Sequence, residues 1–207
     1  MKKKQPIDVI VWDLETTGFV APECKILEIG ALIIKGSEIE KRHWVLNNVG
    51  HEIPEKIIEI TGITQEIIDK EGRDPKECLL EFLPLVREAK QNITHNGIRF
   101  DIPFLVAYAG DVLEYNNQQS AELKEALEDV AFDTAVIVKA EKLGLKRREE
   151  ETFLRFANRI MEIRAFGVKY NLGLCCEEYK IDLTGITLHR ALGDVAMTHE
   201  LYKHLTK

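Results

Sequence analysis

The chain opens with apolar runs of strand length and continues with longer segments of helical spacing. Its first run, Ile7 to Trp12, is rich in β-branched residues and reads as a buried strand. It continues into Asp13-Leu14-Glu15 and ends in the turn Thr16-Thr17-Gly18. A second run, Ile26 to Ile34, stops at Lys35-Gly36-Ser37, and a third strand follows over Glu38 to Leu46. Strands joined so closely pair antiparallel as a hairpin. Three successive strands before any helix are not the alternating pattern of a doubly wound dinucleotide fold.

Helical signals take over next. Pro54 opens a short helix through Ile60 with Gly62 as its C-terminal cap, and Thr64 caps a second. Asp74 and Pro75 begin a helix to about Lys90, with Leu79, Phe82, Leu83 and Val86 as its buried stripe. Asn92 to Asn96 is a short strand leading to a helix that begins near Asp101, since Pro103 is tolerated only in a first turn. Residues 111 to 129 make a loop and one exposed helix. Val130 to Thr134 is a further strand, followed by a helix ending by Leu143-Gly144.

The charge run Lys146 to Glu151 reads as a solvated face. After it, Phe153, Phe156, Ala157, Ile160 and Ile163 keep helical spacing, while Arg155, Arg159 and Arg164 serve either surface solubility or contacts to a polyanion. Tyr170 to Lys180 is a short helix. The last helix, about Arg190 to Leu205, buries Leu192, Val195, Tyr202 and Leu205. No internal repeat, linker or second domain interrupts residues 1–207, which are expected to form one α/β domain.

Asp13 and Glu15 change this picture. On a strand, residues i and i+2 share a face, so the two carboxylates point the same way. Like charges this close repel, more so when buried, and a cation between them relieves the strain. The turn after them sets the pair at a sheet's C-terminal edge, where α/β folds place sites. The alternative is two surface acids at a solvated strand end. Asp101 opens a helix, and Asp194 sits in the last one, five residues after His189. Oxygen-only ligands of this kind suit Mg²⁺ or Mn²⁺. Two such ions about 4 Å apart activate a water and stabilise the leaving oxygen in an in-line attack on phosphorus. A histidine titrating near ~6.5 can take the water's proton.

Composition narrows the setting. The 207 residues are 45% hydrophobic and 30% charged, as in a soluble globular domain. No apolar run reaches the ~20 residues of a membrane helix. The basic start, Met1 to Pro6, precedes an apolar run that stops at Asp13 without a small-residue cleavage site, which argues against a signal peptide. Cys24, Cys78, Cys175 and Cys176 lack C-x-x-C spacing, so reduced thiols in a cytoplasmic protein are expected rather than zinc or disulfides. A net charge of −7 excludes a sequence-wide basic surface but not a local basic groove.

Asp13-Leu14-Glu15-Thr16-Thr17-Gly18, His95-Asn96-Gly97-Ile98-Arg99-Phe100-Asp101 and His189-Arg190-Ala191-Leu192-Gly193-Asp194 resemble the three motifs of the DEDD exonuclease superfamily. The H-x-x-x-x-D form of the third marks the histidine subtype, which includes the proofreading epsilon subunit of bacterial DNA polymerase III and oligoribonuclease. Ile60 to Thr64 resembles a segment of the epsilon-like branch, and Asp133-Thr134 its strand-to-helix step. The resemblance covers residues 7 to about 206.

This resemblance implies a ribonuclease-H-like fold: a mixed sheet of three antiparallel and then two further strands, flanked by helices. It also implies two Mg²⁺ or Mn²⁺ ions and removal of nucleoside monophosphates from 3′ ends of single-stranded or frayed nucleic acid. Asp13, Glu15, Asp101 and Asp194 would be the metal ligands and His189 the general base. Thr17, Gly18, His95, Asn96 and Phe104 would line the terminal nucleotide. The expected partner is a 3′ end of DNA or RNA, with a DNA polymerase acting in trans and homodimer contacts left open. An exoribonuclease, or a non-catalytic polymerase-accessory module, is the alternative. The intact set of five key residues argues against the module.

Overall fold

A computed structural model of the chain describes residues 5–47, 50–184 and 190–207. At its centre lie β1 Val9–Thr16, β2 Ile26–Lys35, β3 Glu38–Val45, β4 Asn92–Thr94 and β5 Ala131–Asp133, in the sheet order β3-β2-β1-β4-β5. β1 pairs antiparallel with β2 and β2 with β3, whereas β1–β4 and β4–β5 are parallel. The mixture follows from the connections. Short loops return the chain for antiparallel pairing, while β4 and β5 are reached through helical crossovers.

The helices are α1 Glu55–Thr61, α2 Gln65–Glu71, α3 Pro75–Glu88, α4 Asp101–Val112, α5 Asn117–Asp129, α6 Thr134–Lys142, α7 Phe153–Glu162, α8 Leu172–Glu178 and α9 Ala191–Leu205. Their ends carry the expected chemistry. Thr64 and Asp74 accept the N–H groups of Ile67 and Glu77, and Gly62 closes α1 at φ 68°. Asn116 and Gln119 form a reciprocal capping box at α5.

Alternation along β1 decides what each face meets. Ile10, Trp12 and Leu14 face a core shared with α3 and α4, where the Trp12 ring meets Phe82 edge-on at 5.6 Å. On the other face, Val11 packs with Leu32, Ile93 and Val195, the last from α9. This second face ends in Asp13 and Glu15, so α9 is the helix laid over the carboxylates.

Two boundaries and one buried face differ from the sequence reading. The strand expected to reach Leu46 ends at Val45, and Leu46 instead bridges to Arg73. The helix expected from Tyr170 starts at Leu172, because the Asn171 side chain accepts the Leu174 N–H and caps it there. In α9, Val195 is buried as expected, but Leu192, Tyr202 and Leu205 are half-buried, and Ala191, Met197, Thr198 and Leu201 lie deeper. One side of α9 rests on the sheet, while Leu201 packs with Val138 and Cys175 of α6 and α8. A single helical stripe cannot describe a helix buried on two sides. No helix among the described residues is long and apolar enough to cross a membrane.

Candidate active site

β1 brings Asp13 and Glu15 to the C-terminal edge of the sheet on one face, as its period of two requires. α9 adds Asp194 in its first turn. One carboxylate oxygen from each of the three lies within 4.8 Å of the others, and all three residues are half-buried. Asp101 stands beside them at the start of α4, buried, with its Oδ1 accepting the Leu14 N–H at 3.3 Å. That bond fastens α4 to β1 between the two acids.

Burial and mutual repulsion act on this group together. Burial first, and then the charges of Asp101, Glu15 and Asp194, push the Asp13 carboxyl well above the usual range. Burial and the Asp194 and Glu28 charges push Glu15 up to about 8. Asp101 is raised to about 7 by burial and Asp133, against the opposing bond from Leu14. Half-buried acids at this spacing form a cradle of hard oxygens, which fits a divalent cation such as Mg²⁺ or Mn²⁺.

The neighbouring strand solves the same problem differently. Glu28 of β2 is the cross-strand partner of Glu15 and is only 1% exposed. Its oxygens accept Arg190 Nε at 2.9 and 3.1 Å, a further bond from Arg190 Nη2, and the Ala191 N–H at 3.1 Å, while His43 Nε2 lies 2.7 Å from Oε1. Burial alone would raise Glu28, but the bonds from His43 and Arg190 outweigh it and hold the carboxyl at about 2. Glu28 is thereby committed to the start of α9. Gly30, opposite Asp13, completes the seat: a Cβ there would come within 2.5–2.8 Å of the Ala191–Leu192 backbone. These two residues were missed in the sequence, where the signals were an acid inside an apolar run and a glycine mid-strand.

The second motif is held from behind. Asp133 ends β5, caps α6 through the Ala135 N–H, and accepts the N–H groups of Asn96 at 2.8 Å and Ile98 at 3.1 Å. It keeps Asn96 at φ 66°, a left-handed conformation that asparagine tolerates better than most residues. His95 has its Nε2 2.8 Å from the Tyr170 carbonyl and its Nδ1 2.9 Å from Thr134 Oγ1, and burial lowers its pKa to about 4. A neutral ring therefore donates from Nε2 and accepts the Thr134 hydroxyl at Nδ1.

Thr17 closes the loop after β1 by accepting the Lys25 N–H at 2.8 Å, and Gly18 lies so close to Cys24 that a Cβ would meet its Sγ at 2.6 Å. This loop exposes Phe19, whose ring packs on Phe100 at 6.1 Å; Phe100 in turn packs on the buried Phe104 at 5.6 Å. Phe19 is the outermost ring of the three. His189 lies outside the described residues.

The RNase_T exonuclease family model matches residues 10–202. The chain belongs to that family. Among curated relatives, the PolC-type DNA polymerase III of Thermotoga maritima is 32% identical over 170 residues, covering 74% of this chain and 12% of the relative. The DNA polymerase III epsilon subunit of Rickettsia prowazekii is 28% identical over 204 residues, covering 95% and 73%. This chain thus spans about an eighth of the PolC-type relative and nearly three quarters of the epsilon subunit.

Solved structures share the fold. E. coli exonuclease I in complex with a dA16 oligonucleotide superposes with a TM-score of 0.70 at 14% identity, covering 96% of this chain and 40% of that one. Exonuclease X in complex with 5′ overhanging duplex DNA gives 0.59 at 17% identity, covering 96% and 90%. The architecture is the ribonuclease-H-like one that the motifs imply.

Proposed function

We propose that this RNase_T exonuclease domain removes nucleoside 5′-monophosphates from the 3′ ends of single-stranded or frayed DNA. The convergence of Asp13, Glu15 and Asp194 within 4.8 Å, at a sheet edge and beside buried Asp101, carries this reading. The four carboxylates would hold two Mg²⁺ or Mn²⁺ ions, which would supply an activated water and offset charge on the leaving oxygen.

The chain's own residues do the rest. Asp101 ties α4 to β1, and Glu28 with Gly30 seats α9, so the acids are placed before substrate arrives. His189 would accept the proton of the attacking water, since an imidazole titrates near neutrality. Phe19 and Phe100, packed edge-on between the loop after β1 and the start of α4, would offer a face to a base without reading its identity, in keeping with weak sequence preference. DNA is favoured over RNA because the relatives are DNA polymerase III proteins, which also makes a DNA polymerase the partner to test.

The test uses 5′-labelled single-stranded DNA and RNA of one sequence, with Mg²⁺ or Mn²⁺. A stepwise ladder on DNA that disappears in Asp13→Ala supports the proposal. Binding without shortening under either metal contradicts it, and a ladder on RNA alone reverses the substrate preference. His189→Gln should retain Mn²⁺ binding yet lose rate; an unchanged rate would remove it from the proton-transfer role.

A further inference from the structure

The segment 163–171, between α7 and α8, has no part in the carboxylate cluster, yet the core grips it by its backbone. Buried Lys139 donates to the Met161 carbonyl at 3.2 Å and lies over the Tyr170 ring, 5.1 Å from its centroid. Lys142 donates to the Lys169 carbonyl at 2.6 Å, and His95 Nε2 to that of Tyr170 at 2.8 Å. The turn at its tip uses Gly167 at φ 82°. The loop is thus anchored through the last turn of α7 and through its own Lys169 and Tyr170 carbonyls, with Ile163 and Tyr170 packed on the core and Arg164, Phe166 and Lys169 left exposed.

Those side chains are distinctive. Phe166 is fully exposed, a large aromatic outside every packed cluster of the described residues. Residues 163–171 contain Arg164 and Lys169 and no acid, in a chain whose net charge is −7. Val168 and Lys169 form one wall of an open groove whose other wall is His95 and Asn96. That wall runs on through the turn held by Asp133 to Asp101. The groove thus lies beside the segment that leads to Asp101, and the loop on its other side exposes Arg164, Phe166 and Lys169.

We propose that this loop is a second contact for the substrate, binding the part of a single strand that lies 5′ of the terminal nucleotide. It rests on the exonuclease reading above. A base stacks on Phe166, and Arg164 and Lys169 meet the adjoining phosphates. Such a contact is indifferent to sequence, because each base has a stacking face and each link a charge. It adds affinity for long strands and leaves the chemistry at the 3′ end alone.

Chain length is therefore the discriminating variable. Phe166→Ala should raise KM for a 12-nucleotide DNA by about 5- to 150-fold, the range of one lost base stack, with kcat unchanged. The kinetics on a dinucleotide should not move, and Phe166→Trp should restore the wild-type KM. Arg164→Ala with Lys169→Ala should lower the slope of log KM against log salt for the 12-mer by about 1.4, at ~0.7 per phosphate contact.

Equal effects of Phe166→Ala on the 12-mer and the dinucleotide, or none on either, would overturn the proposal; the latter would leave the loop as a surface for a protein partner. If wild-type protein shortens neither substrate, the exonuclease reading fails separately. Fluorescence anisotropy with the labelled 12-mer then decides: weaker binding by Phe166→Ala upholds the contact, and equal binding refutes it.

Discussion

Glu15 and Glu28 face each other across the β1–β2 ladder, and their carboxyl groups are driven in opposite directions. Glu28 is the more deeply buried by accessible surface, yet its carboxyl sits at about 2, because His43, Arg190 and the Ala191 N–H all point at it. Glu15 is raised to about 8 by burial first and then by the charges of Asp194, Glu28 and Asp101, with Arg190 opposing them only weakly. Burial raises both groups. The partner supplied by the chain decides the sign. One carboxylate completes its cation pairing within the protein and builds the scaffold, while the other belongs to a cluster that a cation from outside would complete.

The largest effect should come from breaking the second kind of carboxylate. Asp13→Asn removes a member of the three-carboxylate cluster that is also repelled by Asp101. Activity should fall by about a hundred- to a thousandfold, the scale seen when a preorganised electrostatic group is lost. Mn²⁺ binding, followed by calorimetry, should weaken in step. The cation-free protein should nevertheless melt higher than wild type, because a repelling charge is gone. A lower melting temperature with Mn²⁺ affinity intact would show that Asp13 is structural.

Gly30→Ala tests the scaffold from the other side. Its new Cβ meets backbone atoms of Ala191 and Leu192, which cannot rotate away, so α9 must shift off the sheet. Overpacking of this kind costs about 1–3 kcal/mol, or roughly 2–12 °C for a domain of this size. Because α9 carries Asp194, nuclease rate and Mn²⁺ affinity should fall along with the melting temperature. Wild-type values of all three would mean that the helix is not seated by close approach to Gly30.

Glu28→Gln should have a smaller effect of the same sign. The amide keeps the shape but loses the charge that Arg190 and His43 share, and both partners are partly exposed and can be hydrated. The loss should fall at or below the lower end of the ~1.5–3 kcal/mol that hydrogen bonds to a charged group are worth, because the amide keeps part of the bonding. Glu15→Gln should instead raise the melting temperature of the cation-free protein. If the two variants shift it in the same direction, the contrast between these strands is wrong.

Why one half of this comparison could be read from the sequence and the other could not has a physical cause. Strands and helices were visible because burial imposes periods of 2 and 3.6 on local residues, and the three antiparallel strands followed from their short connections. Asp13, Glu15, Asp101 and Asp194 were visible because acids at element ends stand out in the chain and occur in a known order. Glu28 gives no such signal. Its partner Arg190 lies 162 residues away, and only the packing of α9 on β2 brings them together. The same holds for Arg159, legible as a surface cation but engaged by Glu151 at 2.7 and 2.8 Å. Phe104 lies beneath Phe100, with Phe19 outermost, an order along the stack that chain position does not encode.

The finest test separates the two carboxylates by pH. Glu15 takes its proton at about 8 in the fold against 4.5 in the open chain, and Asp101 at about 7 against 3.8. Between those limits the folded, cation-free protein holds protons that the unfolded chain has released, so its stability falls as pH rises from about 4 to 8. Glu28 works in the opposite sense: depressed to about 2, it stabilises above its unfolded value of 4.5, and that contribution is lost as pH drops toward 2. Melting temperature in chelator should thus decline on both sides of a maximum in the mildly acidic range. Saturating Mn²⁺ should lift the alkaline side by mass action, by about 2.7 kcal/mol at a hundredfold excess over Kd, and leave the acid side nearly unchanged. Glu15→Gln should flatten the alkaline limb, and Glu28→Gln should flatten the acid one. A Mn²⁺ effect of equal size at pH 5 and pH 8 would mean that the ion binds elsewhere than at these carboxylates.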